Sequence, residues 1–129
     1  MRGADIVRNV YEAYKKRDIE GALAHCADDV VFRWIADEER SHHAGVTSGK
    51  QEFLARLVAL DHQFEYRRFE PGEIIDGGDK VAAQVELHLT RRTTGKEFVM
   101  RAANFWTIQD GKIVKMVEYY DTALAASVI

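Results

Sequence analysis

A chain of 129 residues, 47% hydrophobic and 30% charged, is long enough to bury a core without staples and reads as one globular domain over residues 1–129. Its net charge of −3 argues against a nucleic-acid partner, since phosphate binding normally shows as a basic excess. No window approaches the roughly 20 apolar residues that span a bilayer, the start Met1-Arg2-Gly3-Ala4-Asp5 holds no signal-peptide core, and the single Cys26 allows no internal disulfide; the expectation is a cytoplasmic protein without membrane contact.

Ile6, Val7, Val10, Ala13 and Tyr14 recur at three- and four-residue spacing, with Arg8, Glu12, Lys15 and Lys16 elsewhere, which predicts a first amphipathic helix. Asp18 offers an N-cap to a second, short helix with the stripe Ile19, Ala22, Leu23 and Cys26. Val30 to Ile35 has the β-branched and aromatic content of a strand. Ala36 to Gly49 mixes charges, glycines and the pair His42-His43, and reads as a loop. Ser48 followed three residues later by Gln51 has the form of a capping box, ahead of Phe53, Leu54, Leu57, Val58 and Leu60 in a third helix.

After Asp61 apolar residues alternate with polar ones. Phe64 to Glu70 reads as a strand interrupted at Pro71-Gly72, because proline cannot donate to a ladder, and Ile74-Ile75 continue it. Asp76-Gly77-Gly78-Asp79 is a hairpin signal. Lys80 to Arg92 then carries Val81, Ala83, Val85, Leu87 and Leu89 on one face and Ala82, Gln84, Glu86, His88 and Thr90 on the other. Thr93-Thr94-Gly95 leads into the longest hairpin, Lys96 to Asp121, which turns at Asp110-Gly111. There Phe98, Met100, Ala102, Asn104, Trp106 and Ile108 share one side, and Val114, Met116, Glu118 and Tyr120 share one face of the partner strand. Both faces of this hairpin carry large apolar groups, unlike a surface hairpin with one wet side. One face therefore closes a core or cavity and the other packs against something else, such as a second copy of the chain. Helices first and a meander second give an α+β domain with the helices gathered on one face of a curved antiparallel sheet.

Three phrases carry a resemblance: RDIEGALAHCADDVVFRW from Arg17 to Trp34, GVTSGKQEF from Gly45 to Phe53, and DGKI from Asp110 to Ile113 with YYD after it. Together they span nearly the whole chain, which resembles the nuclear transport factor 2-like superfamily and, within it, the SnoaL-like and ketosteroid isomerase-like enzymes. The resemblance implies a cone-shaped, cystatin-like fold, an apolar pocket open at one end, and homodimers through the outer sheet face. By the same resemblance the general-base Asp of the ketosteroid isomerases falls at Trp34, and Asp37 and Glu38 could supply a displaced base. The oxyanion-hole Tyr falls at Val10, with Tyr11 and Tyr14 close by, and the second oxyanion donor falls at Asn104. Limonene epoxide hydrolase is similar in the last strand: its water-activating Asp falls at Glu118, its acid Asp at Glu86 and its bridging Arg at Gln84.

The expected pocket face is Gln84, Glu86, His88, Asn104, Trp106, Glu118 and Tyr120, with Trp34, Met116 and His43 beside it. Carboxylates among Trp, Met and Phe are desolvated, which raises their pKa towards the range useful for acid or base work. Glu118 is the expected base or water activator, Asn104 a hydrogen-bond donor, and Glu86 or His88 the second acid/base group. No spaced cluster of ligand-type residues occurs, so neither a metal nor another cofactor is expected. Cys26 lies on a helix stripe and no Ser occupies an elbow motif, which leaves no candidate nucleophile. Two functions remain open: an isomerase, cyclase, dehydratase or epoxide hydrolase acting on a small lipophilic molecule, or a non-catalytic module that binds a ligand or dimerises. The expected dimer face is Val85, Leu87, Val99, Phe105, Val117 and Tyr119.

Overall fold

Alternating apolar and polar residues set the second half of this chain largely into strands, and a computed structural model describes residues 2–39, 41 and 43–128. Helices α1 (Gly3–Lys15) and α2 (Ile19–Leu23) lead into strand β1 (Cys26–Ile35). A short strand β2 (Gly45–Ser48) precedes helix α3 (Lys50–Gln63). The strands β3 (Phe64–Asp76), β4 (Lys80–Arg91), β5 (Glu97–Gln109) and β6 (Lys112–Tyr120) follow, and helix α4 (Thr122–Val128) closes the chain. They build one curved, open, six-stranded sheet in the order β2-β1-β6-β5-β4-β3. Every pairing is antiparallel except β1 with β6.

Local chemistry explains the junctions. Asp18 accepts a hydrogen bond from the Gly21 amide and caps α2, as expected from its position. The expected capping box at Ser48 and Gln51 does not form: Gly49 is the N-cap of α3 at φ 87°, and the Glu52 carboxylate instead accepts from the Ser48 amide. Asp110 and Gly111 both have positive φ, as a tight two-residue hairpin between right-twisted strands requires. The β3 ladder shifts register between Pro71 and Ile74, where proline removes a donor.

Helix α1 lays Ile6, Val7, Val10 and Tyr11 onto the concave face of the sheet. Strand β5 alternates buried and exposed residues along its length, burying Phe98, Met100, Ala102, Asn104, Trp106 and Ile108. Beside the main core, Phe64, Leu89, Phe98 and Met100 form a second cluster with Ala125 and Val128 of α4. Strand β2 lies partly within the stretch expected to be a loop and lengthens the sheet edge beyond β1, and α4, for which no sequence pattern predicts an element, covers the far end of the concave face. No helix among the described residues is long and apolar enough to cross a membrane.

Candidate functional site

Between α1, α3, α4 and the concave face lies a cavity of about 150 Å³. Most of its wall is apolar or aromatic, including Phe32, Trp34, Phe53, Leu57, Phe69, Leu87, Met100, Trp106 and Met116. Phe32, Phe53 and Trp34 stack nearly parallel, with Phe32 and Phe53 ring centroids 3.7 Å apart and Trp34 and Phe53 6.0 Å apart. The polar groups in the wall are few: Tyr11, Tyr14, His43, Arg56, Tyr66, Asn104, Glu118 and Tyr120.

Four of the wall residues form one hydrogen-bonded chain. Trp106 Nε1 donates to the Tyr11 hydroxyl at 3.0 Å, and that hydroxyl donates to Asn104 Oδ1 at 2.8 Å. Asn104 Nδ2 donates in turn to Glu118 Oε1, also at 2.8 Å. Asn104 and Glu118 are directly opposite in the β5–β6 register, and the next pair along, Trp106 with Met116, faces the same way. Asn104 is only 4% exposed, and the hydrogen bond its oxygen accepts from Tyr11 together with the one its amide donates to Glu118 accounts for why a polar amide is tolerated there. Glu118 Oε2 has no hydrogen-bond partner among the described residues.

The electrostatics follow from this enclosure. Desolvation raises the Glu118 carboxyl above its ordinary pKa, while the Asn104 hydrogen bond and the Arg56 charge pull the other way. Burial likewise raises the phenols of Tyr11 and Tyr66 well above their usual pKa, and raises that of Tyr14 against the opposing Arg17 charge. Cys26 also faces the cavity, but burial pushes its thiol up to about 11, so it is no thiolate nucleophile at neutral pH.

Of the residues singled out from sequence, the structure brings Glu118, Asn104, Trp34, Trp106, Tyr120, Met116 and His43 to the cavity wall. His42 lies outside the described residues. Gln84, Glu86 and His88 do not reach the cavity. Ala83, Val85 and Leu87 pair with Asn104, Ala102 and Met100, so the apolar stripe of β4 faces inward and the polar stripe is on the convex face. There Glu86 pairs with Arg101 at 3.1 Å and with His88 at 3.5 Å, and Gln84 lines a shallow outer groove. The same parity moves Val85 and Leu87 out of the expected dimer face and leaves Val99, Phe105, Val117 and Tyr119 on it. Asp37 and Glu38 are exposed and away from the wall.

From sequence, Tyr11 stands out only as a neighbour of Val10, where the oxyanion-hole Tyr falls by resemblance, and Arg56 is not singled out, though both carry a signal. Tyr11 follows Val10 on the buried stripe of α1, where its hydroxyl needs a partner. Arg56 falls between Phe53, Leu57 and Leu60 on the inner stripe of α3, an unusual place for a charge. Its guanidinium lies 3.7 Å over the Trp34 ring and donates from Nη2 to the His43 carbonyl. Among the described residues no cluster of three His, Cys, Asp or Glu side chains is arranged to hold a metal ion.

The family model of the SnoaL-like domain matches residues 7–116 of the chain. Solved structures are similar over nearly the whole length. An NTF2-like protein from Burkholderia thailandensis E264 is 26% identical, with a TM-score of 0.89 over 98% of this chain and 96% of that one. An NTF2-like protein from Burkholderia pseudomallei K96243 is 25% identical, with a TM-score of 0.87 over 97% and 95%. A Mesorhizobium loti protein described as a candidate SnoaL-like polyketide cyclase is 24% identical, with a TM-score of 0.78 over 93% and 100%, a likeness of fold. Comparison with curated proteins gives no match.

Proposed function

We propose, from the premise that this chain belongs to the SnoaL-like domain family, that it is an acid/base enzyme acting on a small lipophilic molecule held in the concave cavity. The observation that carries this reading is Glu118: a carboxyl in an aromatic wall, with Oε1 held by Asn104 and Oε2 left without a partner among the described residues. Desolvation raises its pKa above the ordinary carboxyl value, the direction that suits a group which both takes and returns a proton.

In this mechanism Glu118 Oε2 removes a proton from a carbon next to a carbonyl, or from a water or hydroxyl, and returns it at a second position. Asn104 Nδ2 carries two N–H groups; one donates to Glu118, and in this reading the other donates to a substrate oxygen on which charge develops. Tyr11 and Trp106 hold the amide in that orientation, because Asn104 Oδ1 accepts from the Tyr11 hydroxyl. A thermal-shift and turnover screen of lipophilic ketones, enones, epoxides and aromatic acids, run on the wild type and Glu118→Gln, tests this reading. Turnover that survives Glu118→Gln would end it. A ligand that binds without turnover would support the alternative, a binding module, in which the closed Trp106–Tyr11–Asn104 chain serves only to orient the guest.

For the convex face we propose a second copy of the chain as occupant. Phe105 and Tyr119 are 49% and 50% exposed and meet edge to face at 5.9 Å, with Val117 and Val99 on the same face. Arg101 and Glu86 beside them supply both signs of charge, as a self-complementary contact needs.

A further inference from the structure

Arg56 is the one permanent charge among the described residues of the cavity wall, and no described carboxylate forms a direct ion pair with it; Glu118 acts on it only through its longer-range field. A guanidinium has five N–H donors. Here Nη2 is used by the His43 carbonyl, while Nε is buried with no acceptor. No carboxylate stands within ion-pair distance of Arg56 among the described residues, and Glu118, the one carboxyl in the wall, is engaged by Asn104. Burying a cation without a partner is costly, which is why such groups are normally paired. The Trp34 ring at 3.7 Å offsets part of that cost and fixes the guanidinium against one end of the stacked rings of Trp34, Phe53 and Phe32. A guanidinium immobilised on an indole face is pre-organised for a planar anion, because little side-chain freedom remains to be lost on binding.

We propose that Arg56 is the specificity-determining residue of the cavity and selects a planar aromatic anion, a carboxylate or acidic enol, whose ring lies along the Trp34–Phe53–Phe32 wall and whose charge meets the guanidinium. This rests on the reading that the cavity holds a small molecule, and adds the charge that molecule carries. Aromatic surface supplies affinity and Arg56 supplies the choice between acid and neutral analogue. An anion on Arg56 also removes the positive field that holds the Glu118 pKa down, so a bound acid favours the protonated Glu118 needed for the returning proton step.

The test is titration calorimetry of the full chain with 2-naphthoate and with its neutral isostere 2-naphthamide, on the wild type, Arg56→Met and Arg56→Lys. The wild type is expected to bind the acid roughly 10- to 100-fold more tightly than the amide, the worth of one charge-assisted contact. Arg56→Met should erase the preference and leave amide affinity within about threefold, and Arg56→Lys should keep part of it. An amide that binds the wild type as tightly as the acid, or a preference that survives in Arg56→Met, overturns the proposal. The wild-type comparison alone decides if Arg56→Met fails to fold. Equal binding of both probes sinks the Arg56 assignment and leaves the Glu118 chemistry standing. Arg56-dependent acid binding together with unchanged turnover in Glu118→Gln does the reverse. Binding of neither probe counts against both.

Discussion

Asn104 Nδ2 donates to Glu118 Oε1 at 2.8 Å across the β5–β6 ladder, which leaves Oε2 as the oxygen to which the proposed mechanism gives the proton transfer. The hydrogen bond stabilises the ionised form and so lowers the Glu118 pKa against the larger effect of desolvation. Asn104→Leu removes the donor and is expected to move that pKa further up. Arg56→Met removes a weaker lowering influence and should shift it the same way by less. Carbon-13 NMR of the labelled Glu118 carboxyl across pH, in each variant, reads both shifts; a downward move in Asn104→Leu would contradict the electrostatic account.

The raised pKa also sets a pH dependence of stability. A carboxyl whose folded pKa exceeds its unfolded value binds its proton more tightly in the folded state, so its contribution is complete below the unfolded pKa and is lost as pH rises through the folded pKa. For Glu118 the window opens at the ordinary value of 4.5 and extends upward. Glu118→Gln should therefore gain in Tm relative to the wild type as pH rises through that window, and the gain should level off above it. Parallel melting curves from pH 4 to 8 check this, and a constant offset between the two proteins would mean that Glu118 is not desolvated.

Tyr11→Phe deletes one hydroxyl but strands two buried groups, Asn104 Oδ1 and Trp106 Nε1. Each unsatisfied buried partner costs about 1–3 kcal/mol, and local relaxation keeps the pair from summing fully. Urea unfolding should show a loss of about 2 kcal/mol at unchanged m value. The larger effect should be on ligand handling, since the Asn104 amide is then free to turn.

Much of this arrangement was legible in the sequence, and the exceptions have physical causes. Alternation along β5 placed Asn104 beside Trp106, and alternation along β6 placed Glu118 between Met116 and Tyr120, because a period of two survives any change of neighbour. What alternation cannot give is which face of one strand meets which face of the next. Gln84, Glu86 and His88, expected on the concave face, lie on the convex face for that reason, and the unbroken apolar stripe from Val81 to Leu89 is the better match to a buried face. The parallel pairing of β1 with β6 joins segments far apart in the chain, and no local pattern encodes it. The four-residue β2 is too short to show alternation, and α4 has the small residues of a tail whose burial comes only from contact with Phe64, Phe98 and Met100. Arg56 was hidden by the opposite effect, since a strongly apolar stripe invites the reader to pass over the one charge within it.

The convex face makes a prediction that is independent of the cavity. Sedimentation at micromolar concentration should give a dimer. Phe105→Lys, which sets a charge beside the exposed Tyr119 ring, should give a folded monomer. A monomeric wild type would contradict a second copy as the occupant of Phe105 and Tyr119.

The measurement that bears most directly on the central claim is deuterium incorporation at the α-carbon of 2-tetralone, an aromatic ketone that needs nothing but a base and an oxyanion donor to exchange. Proton NMR in deuterated buffer follows the wild type, Glu118→Gln and a protein-free control. The account predicts that the wild type accelerates exchange and that Glu118→Gln loses about 10²–10⁴-fold of that acceleration while keeping its fold and its affinity for the ketone. Exchange at the wild-type rate in Glu118→Gln, or a wild type that binds the ketone and leaves exchange at the control rate, would contradict it.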